Sequence, residues 1–275
     1  MKQFSIILFS LSIIFTFYFL YPQNRKEVIK KFNVIMDKKM QIGEELTYVV
    51  KYSFFKLGEI KFKVLDKKEV NGKTIFSAAA YIDSYEDVPF VSLHQIYQSY
   101  INKDYYSDFF RGIIKYEKYD SFTEYYFNYD SSKVRIIKGK YNPKEIWTDS
   151  VGTVEKEYQD GLSIFYYARM NSGQNKTVTE PIFVNEKKEE TIINFTSKVS
   201  GVSIDAVDYD ISCVKLDGEA QFVSIFGLTG DFEGWFSNDE ASIPIMAKLH
   251  VILGNITVEL SNWKRKGWNP PNYSE

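Results

Sequence analysis

Period-two alternation is the property of this chain that most narrows what it can fold into. In ELTYVVKYSF (residues 45–54), Leu46, Tyr48, Val50, Tyr52 and Phe54 fall on one face. In EIKFKVL (59–65), Ile60, Phe62 and Val64 alternate with Glu59, Lys61 and Lys63. Successive strand residues point to opposite sides, so such segments have one packed face and one wet face. Similar runs recur in YQSYINKDYYSDFF, RGIIKYEKYD, FTEYYFNYD, KVRIIKGKY, TIINFTSKV, DAVDYDISCVKL and EAQFVSIF. Turn-forming residues (Asp-Ser-Ser-Lys, Ser-Gly, Asp-Gly) separate neighbours, as antiparallel connections require. No fixed repeat stands out, which disfavours solenoids and propellers, and strands do not alternate with long helices, which removes the α/β classes. The aromatic content of 17%, from 21 Tyr and 22 Phe, agrees with pleated, half-buried surfaces. The predicted fold is all-β: a curved antiparallel sheet or open β-barrel.

Two hairpins can be placed by their turns. Asn71-Gly72 suits a two-residue turn that sets Phe62 opposite Tyr81 and Val64 opposite Ala79. Gly254-Asn255 suits another, pairing Leu253 with Ile256, Val251 with Val258 and Leu249 with Leu260, with His250 across from Glu259. One segment departs from strand periodicity. In QDGLSIFYYARMNSG, Leu162, Phe165, Tyr166 and Arg169 recur at helical spacing, Asp160 suits the N-cap and Gly173 the close. A single short helix is expected near residues 160–172, laid against the sheet.

The candidates for chemistry dissolve on inspection. The net charge of −2 provides no basic field for nucleic acid. The lone Cys213, flanked by Ile211 and Val214, excludes an internal disulfide and reads as a buried small hydrophobe. His94 and His250 are too few for a His-rich metal site. GLSIF (161–165) fails as a nucleophile elbow because Phe165 stands where glycine is required. DAVDYD (205–210) lacks the glycine and glutamate of a calcium loop. Asp239 and Glu240 sit among Ser237 and Asn238, side chains that bond their own backbone in turns. Pro244 begins the strand that follows, or places it at an edge. Asp239 could also pair with Arg169 and pin the helix to the last hairpin.

Residues 1–23 are almost wholly apolar and read as a signal peptide or an N-terminal membrane anchor, with residues 4–21 as the span. Residues 24–42 form a basic linker, and 264–275 a C-terminal tail. The aromatic band from Tyr97 to Tyr129 carries the one functional expectation. Aromatic residues on both faces of FTEYYFNYD exceed what one core surface needs, so Tyr97, Tyr116, Tyr125, Phe127 and Tyr129 are the candidate lining of an apolar groove.

The order of three motifs resembles the DUF3108 family. They are GEELTYVVKYSFFKLGEIKFKV (43–64) with its Gly58, DGLSIFYYAR (160–169) from Asp160 to Arg169, and GWFSND with IPI and LGN. The last group contributes Trp235, Ser237, Asp239, Pro244 and Gly254. The resemblance spans residues 43–263 and implies an exported bacterial envelope protein with a curved sheet or open barrel and no settled activity. Together these readings predict a non-catalytic envelope domain that binds a lipid, acyl chain or similar apolar ligand. The alternative is a structural protein–protein module of an envelope assembly. No metal or cofactor is expected, and membrane contact is expected only through the N-terminal segment.

Overall fold

In this computed structural model, the described residues are 38–274 apart from 71, 89–91, 221, 223–227, 252 and 253. The apolar segment and most of the basic stretch therefore lie outside them. Among the described residues, no helix is long and apolar enough to cross a membrane.

Fourteen strands form one antiparallel sheet. The first half is β1 (Glu45–Tyr52), β2 (Phe55–Val70), β3 (Lys73–Ser84), β4 (His94–Asn102), β5 (Ser107–Lys115), β6 (Asp120–Asn128), β7 (Lys133–Lys140) and β8 (Glu145–Thr153). A helix, α1 (Ser163–Asn171), leads to the second half: β9 (Lys176–Val184), β10 (Lys187–Val202), β11 (Ile211–Ala220), β12 (Leu228–Ser237), β13 (Pro244–Val251) and β14 (Gly254–Lys264). Each strand pairs with its chain neighbours, and β1 pairs with β14, which joins the halves. The sheet does not close, because β8 and β9 are its two edges. The edge of β9 is covered by the segment before α1. Gln159 N–H donates to Pro181 O (2.9 Å), and Phe183 N–H donates to Gln159 O (2.8 Å). Pro181 has no N–H of its own, as befits a border strand.

Helix α1 touches strands far apart in the sheet, so it lies in the concave interior. Phe165 meets the Phe62 ring of β2 at 5.6 Å. Ala168, Ile164 and Tyr167 pack with Ile193, Phe195, Val214, Leu216 and Phe236 of β10–β12. A second apolar cluster joins β1, β11, β13 and β14 through Leu46, Tyr48, Cys213, Ile245 and Leu260. Asp160 sits two residues before the N-cap position, Leu162, which makes no side-chain capping bond. Its Oδ1 nonetheless accepts from Leu162 N–H and Ser163 N–H, both at 2.7 Å, and from the Ser99 hydroxyl of β4 at 2.8 Å. Asp160 thus fastens the start of α1 to the sheet. Gly173, in the left-handed region (φ +76°), follows the last turn.

Both expected hairpin registers need correction. Near its turn, the β2–β3 pairing follows expectation, with Val70 opposite Lys73. A bulge between Val64 and Asp66 then shifts it, so Phe62 faces Ala80 and Val64 faces Ala78. The shift sends Tyr81 to the outer side, 5.8 Å under the Lys63 ammonium, and turns two small, fully buried alanines inward. At the last hairpin, Val251 pairs with Gly254, Leu249 with Ile256 and Ala247 with Val258. His250 faces Asn255, with Nδ1 to Oδ1 at 2.9 Å. Glu259 instead accepts from Lys51 Nζ (2.9 Å) and Asp205 N–H (2.7 Å). At this last hairpin the expected and observed registers differ by an even number of residues, so every side chain keeps its face and alternation cannot choose between them.

Candidate ligand-binding cavity

The inward faces of β1, β2, β13 and β14 do not all reach α1, and the space left is a cavity of about 1310 Å³. Leu46, Tyr48 and Val50 wall it from β1, Ile60 and Phe62 from β2, Met246, Ala247 and Leu249 from β13, and Ile256 and Val258 from β14. Alternation places all of these inside except Met246, which its register pairs with Trp235 on the other face. At the helix end the lining is Phe165, Tyr166 and Arg169; at the other end it is Tyr52, Phe55, Val88 and Leu93, beside the β1–β2 turn. Drug-sized ligands occupy pockets of roughly 300–1,000 Å³, so the volume accommodates a long apolar molecule.

The floor is the charged part. Arg169, 2% exposed, donates through Nη1 and Nη2 to the two oxygens of Glu44 at 2.6 and 2.9 Å, and through Nε to Ala241 O at 2.9 Å. Arg265, from the C-terminal stretch, also binds Glu44. Lys39 Nζ donates to Arg169 O (3.0 Å) and the Ser242 hydroxyl (2.7 Å). Asp239 does not pair with Arg169. Its Oδ1 accepts from Ser237 Oγ (2.8 Å), Ala241 N–H (3.0 Å) and Ser242 N–H (2.9 Å), and its Oδ2 from Trp268 Nε1 (2.7 Å). The helix is pinned to this turn through the Ala241 carbonyl. Burial keeps the Tyr48 and Tyr166 hydroxyls well above the usual tyrosine range, so both are neutral.

Burial, and then the charge of Arg169, holds the Lys39 ammonium down to about 8, from 10.5. A lowered folded-state value means that the unfolded chain binds the extra proton between those two limits, so this group makes stability rise with pH across that window. Between pH 8 and pH 9.5 the unfolding free energy from urea titration is expected to rise relative to that of Lys39→Met by about 1–2 kcal/mol. Parallel curves for the two proteins would show that Lys39 is solvated.

The other motif residues serve the frame. A side chain on Gly58 would meet Asp83 O at 2.3 Å, so β2 and β3 approach there only with glycine. Trp235 lies on the outer face, with Lys215 and Lys248 Nζ each 5.5 Å from its ring. Pro244 opens β13, and its carbonyl accepts from Tyr48 Oη at 2.9 Å. Gly254 opens β14 at φ +117°. Cys213 is buried, and that burial pushes its thiol up to about 12. Among the described residues, no group of three or more His, Cys, Asp or Glu is placed to hold a metal.

The family model for DUF3108, described as a protein of unknown function, matches residues 47–261. The chain belongs to the DUF3108 family. No curated protein matches this DUF3108 chain. Among solved structures, a β-barrel-like protein of the DUF1849 domain from Brucella abortus aligns with a TM-score of 0.51 at 10% identity, covering 81% of this chain and 97% of its own. A protein from Bacteroides fragilis, described as exported with a YmcC-like fold, aligns at 0.35 and 9% identity, covering 82% and 97%. A protein from Parabacteroides distasonis described as a lipoprotein aligns at 0.34 and 9% identity, covering 82% and 96%. At such identities the first likeness concerns the fold alone.

The aromatic candidates lie elsewhere in the DUF3108 domain. Tyr97 is buried, stacks on Phe110 (5.9 Å) and donates to Gln95 Oε1 (2.9 Å). Tyr125 stacks on the other side of Phe110 (5.3 Å) and donates to Glu186 (3.0 Å). Phe127 stands between Tyr129 and Phe183, both at 5.6 Å. The Tyr129 hydroxyl donates to Ser107 O at 2.6 Å. Tyr116 is set apart, exposed on the β5–β6 turn beside Tyr119. None of the five lines the cavity, although Gln95 adjoins both. Alternation could have found the cavity's walls; it has no signal for where opposing walls fail to meet.

Proposed function

We propose that this domain is a non-catalytic binding protein of the cell envelope that holds a lipid, acyl chain or similar apolar ligand between α1 and strands β1, β2, β13 and β14. The cavity carries this reading. It is large, lined mostly by apolar side chains, and reaches the surface at the exposed Tyr52, Phe55 and Leu93, while its charged floor is occupied by its own ion pairs. The apolar leader of the sequence favours an envelope location. The aromatic band on β4–β6 then acts as packing that fixes the curvature of the sheet.

Ala247→Trp tests the reading by filling the space. Native mass spectra of the wild-type chain are expected to show co-purifying lipid, and the variant to arrive empty. A fluorescent fatty acid should bind the variant at least about tenfold more weakly, since an indole overpacks the site without touching the floor. Equal binding by both proteins would place the ligand outside the cavity. A second reading, a structural module in an envelope assembly, is favoured by β8. That border strand is exposed along almost its whole length, including Ile146, Trp147 and Val151, and suits strand addition by a partner. Capture of a defined partner by an empty domain, lost on Val151→Pro, would select it.

A further inference from the structure

The two rims of the sheet differ in kind. Through the pairs Tyr52–Phe55, Asp83–His94, Lys115–Asp120 and Lys140–Glu145, the β1–β2, β3–β4, β5–β6 and β7–β8 turns all lie at one rim. Nine aromatic side chains are exposed among the described residues, and seven of them are at this rim: Tyr52, Phe54, Phe55, Tyr116, Tyr119, Tyr141 and Trp147. The other two, Tyr100 and Tyr126, flank Phe109 on the sheet's outer face. Phe54 is 80% exposed and Phe55 58%, with their rings 4.2 Å apart at the tip of a hairpin. Nothing in a hairpin requires two adjacent exposed phenylalanines. Contiguous exposed apolar surface of this kind marks an interaction site.

We infer that this rim docks on a lipid surface carrying anionic headgroups. Two observations favour lipid over a protein partner. First, charge around the rings of the β5–β6 and β7–β8 turns is arranged as it is at a bilayer interface, the rim's acids Asp83, Glu86 and Asp87 standing apart at the β3–β4 turn. The turns at 115–119 and 140–144 hold four lysines (Lys115, Lys118, Lys140 and Lys144) and one acid, Glu117, with Asp120 and Glu145 just behind them. Lys140 Nζ lies 5.6 Å from the Tyr119 ring, and Lys144 Nζ 5.9 Å from Phe122. Aromatic rings at headgroup depth with lysines reaching phosphates make up the usual interfacial pairing, and each such lysine strengthens attraction to an anionic leaflet. Second, Tyr52, Phe55 and Leu93 belong both to this rim and to the mouth of the cavity. A ligand leaving the cavity there would enter lipid without crossing water. That second support rests on the binding function proposed above; the first does not. Membrane contact, assigned by the sequence to residues 4–21 alone, would then extend to the folded domain.

The test uses the full chain on vesicles of phosphatidylcholine and phosphatidylglycerol whose acyl chains carry bromine. Quenching of Trp147 is taken as the difference between wild type and Trp147→Phe, and amide hydrogen exchange is followed at residues 52–57 and 115–119. The expected result is a quenched Trp147 and rim amides slowed by about tenfold or more relative to lipid-free protein. In Phe54→Ser/Phe55→Ser the slowing at 52–57 should be lost while the melting temperature holds, because most of the surface of both rings is already in water. An unquenched Trp147, with rim amides exchanging freely while the apolar leader holds the chain on the vesicle, overturns the inference. So does protection that appears without lipid and grows with protein concentration, which would make the occupant a second copy. Fatty acid binding by lipid-free protein, and its loss in Ala247→Trp, reports separately on the cavity.

Discussion

Glu44→Gln is expected to cost the domain about 3–5 kcal/mol of stability, the usual range for removing one partner of a buried ion pair. Glu44 is 2% exposed and binds both Arg169 and Arg265, with Lys39 bonded to the backbone of Arg169. Glutamine preserves shape and one acceptor oxygen but removes the carboxylate charge that Arg169 and Arg265 share beside the Lys39 ammonium. Because the site is dry, salt should rescue little of the loss. Urea unfolding of the single variants and of Glu44→Met/Arg169→Met forms a cycle in which the double change costs much less than the sum. A Glu44→Gln protein within about 1 kcal/mol of wild type would mean that water reaches the floor and that the pair is no stronger than a surface one.

Asp239→Ala should be the next most damaging change, at about 2–4 kcal/mol. One carboxylate satisfies Ser237, two backbone N–H groups of the turn and the Trp268 indole. Without it, the indole and the N–H groups of Ala241 and Ser242 are left without an acceptor in a half-buried place. The turn also presents the carbonyl that holds Arg169 Nε. In a cycle with Arg169→Met, the coupling of Asp239 should be far below that of Glu44, since it passes only through that carbonyl. Equal couplings would restore a direct Asp239–Arg169 contact. The indole emission of Trp268, freed from the carboxylate, offers an independent readout.

Most of the architecture was legible because faces are a local property. Leu46, Tyr48 and Val50 point inward as their spacing requires, and α1 forms where helical spacing replaces alternation. Registers were less legible. The slip at the last hairpin changes partners while leaving every face intact, so local pattern is blind to it, whereas the bulge at Leu65 reverses which side of β3 meets Phe62 and Val64, setting Ala78 and Ala80 inside and Tyr81 outside. Asp160 was correctly singled out at the helix start, though it binds from two residues before the N-cap position. Arg169 was singled out as well, but its partner stands 125 residues away, and nothing near Glu44 marks it among the chain's other glutamates. The cavity was the hardest to foresee, because it is set by the spacing of opposed walls rather than by the composition of either one. The aromatic band drew attention through sheer ring count, and the rings prove to stack on one another and on Phe183.

The seam between β1 and β14 has a consequence for how the chain matures. The first and last strands of the domain meet in the middle of the sheet, with Leu46 opposite Trp263 and Val50 opposite Val258. Each half can zip up from local hairpins, but neither can be sealed to the other until the final residues exist. Contacts of such long sequence separation form late and slow folding. A nascent or threaded chain therefore presents two incomplete half-sheets with bare inner borders, and completion arrives only with the C-terminus. On the envelope location proposed above, that built-in delay keeps the chain in a form that a narrow pore can accept.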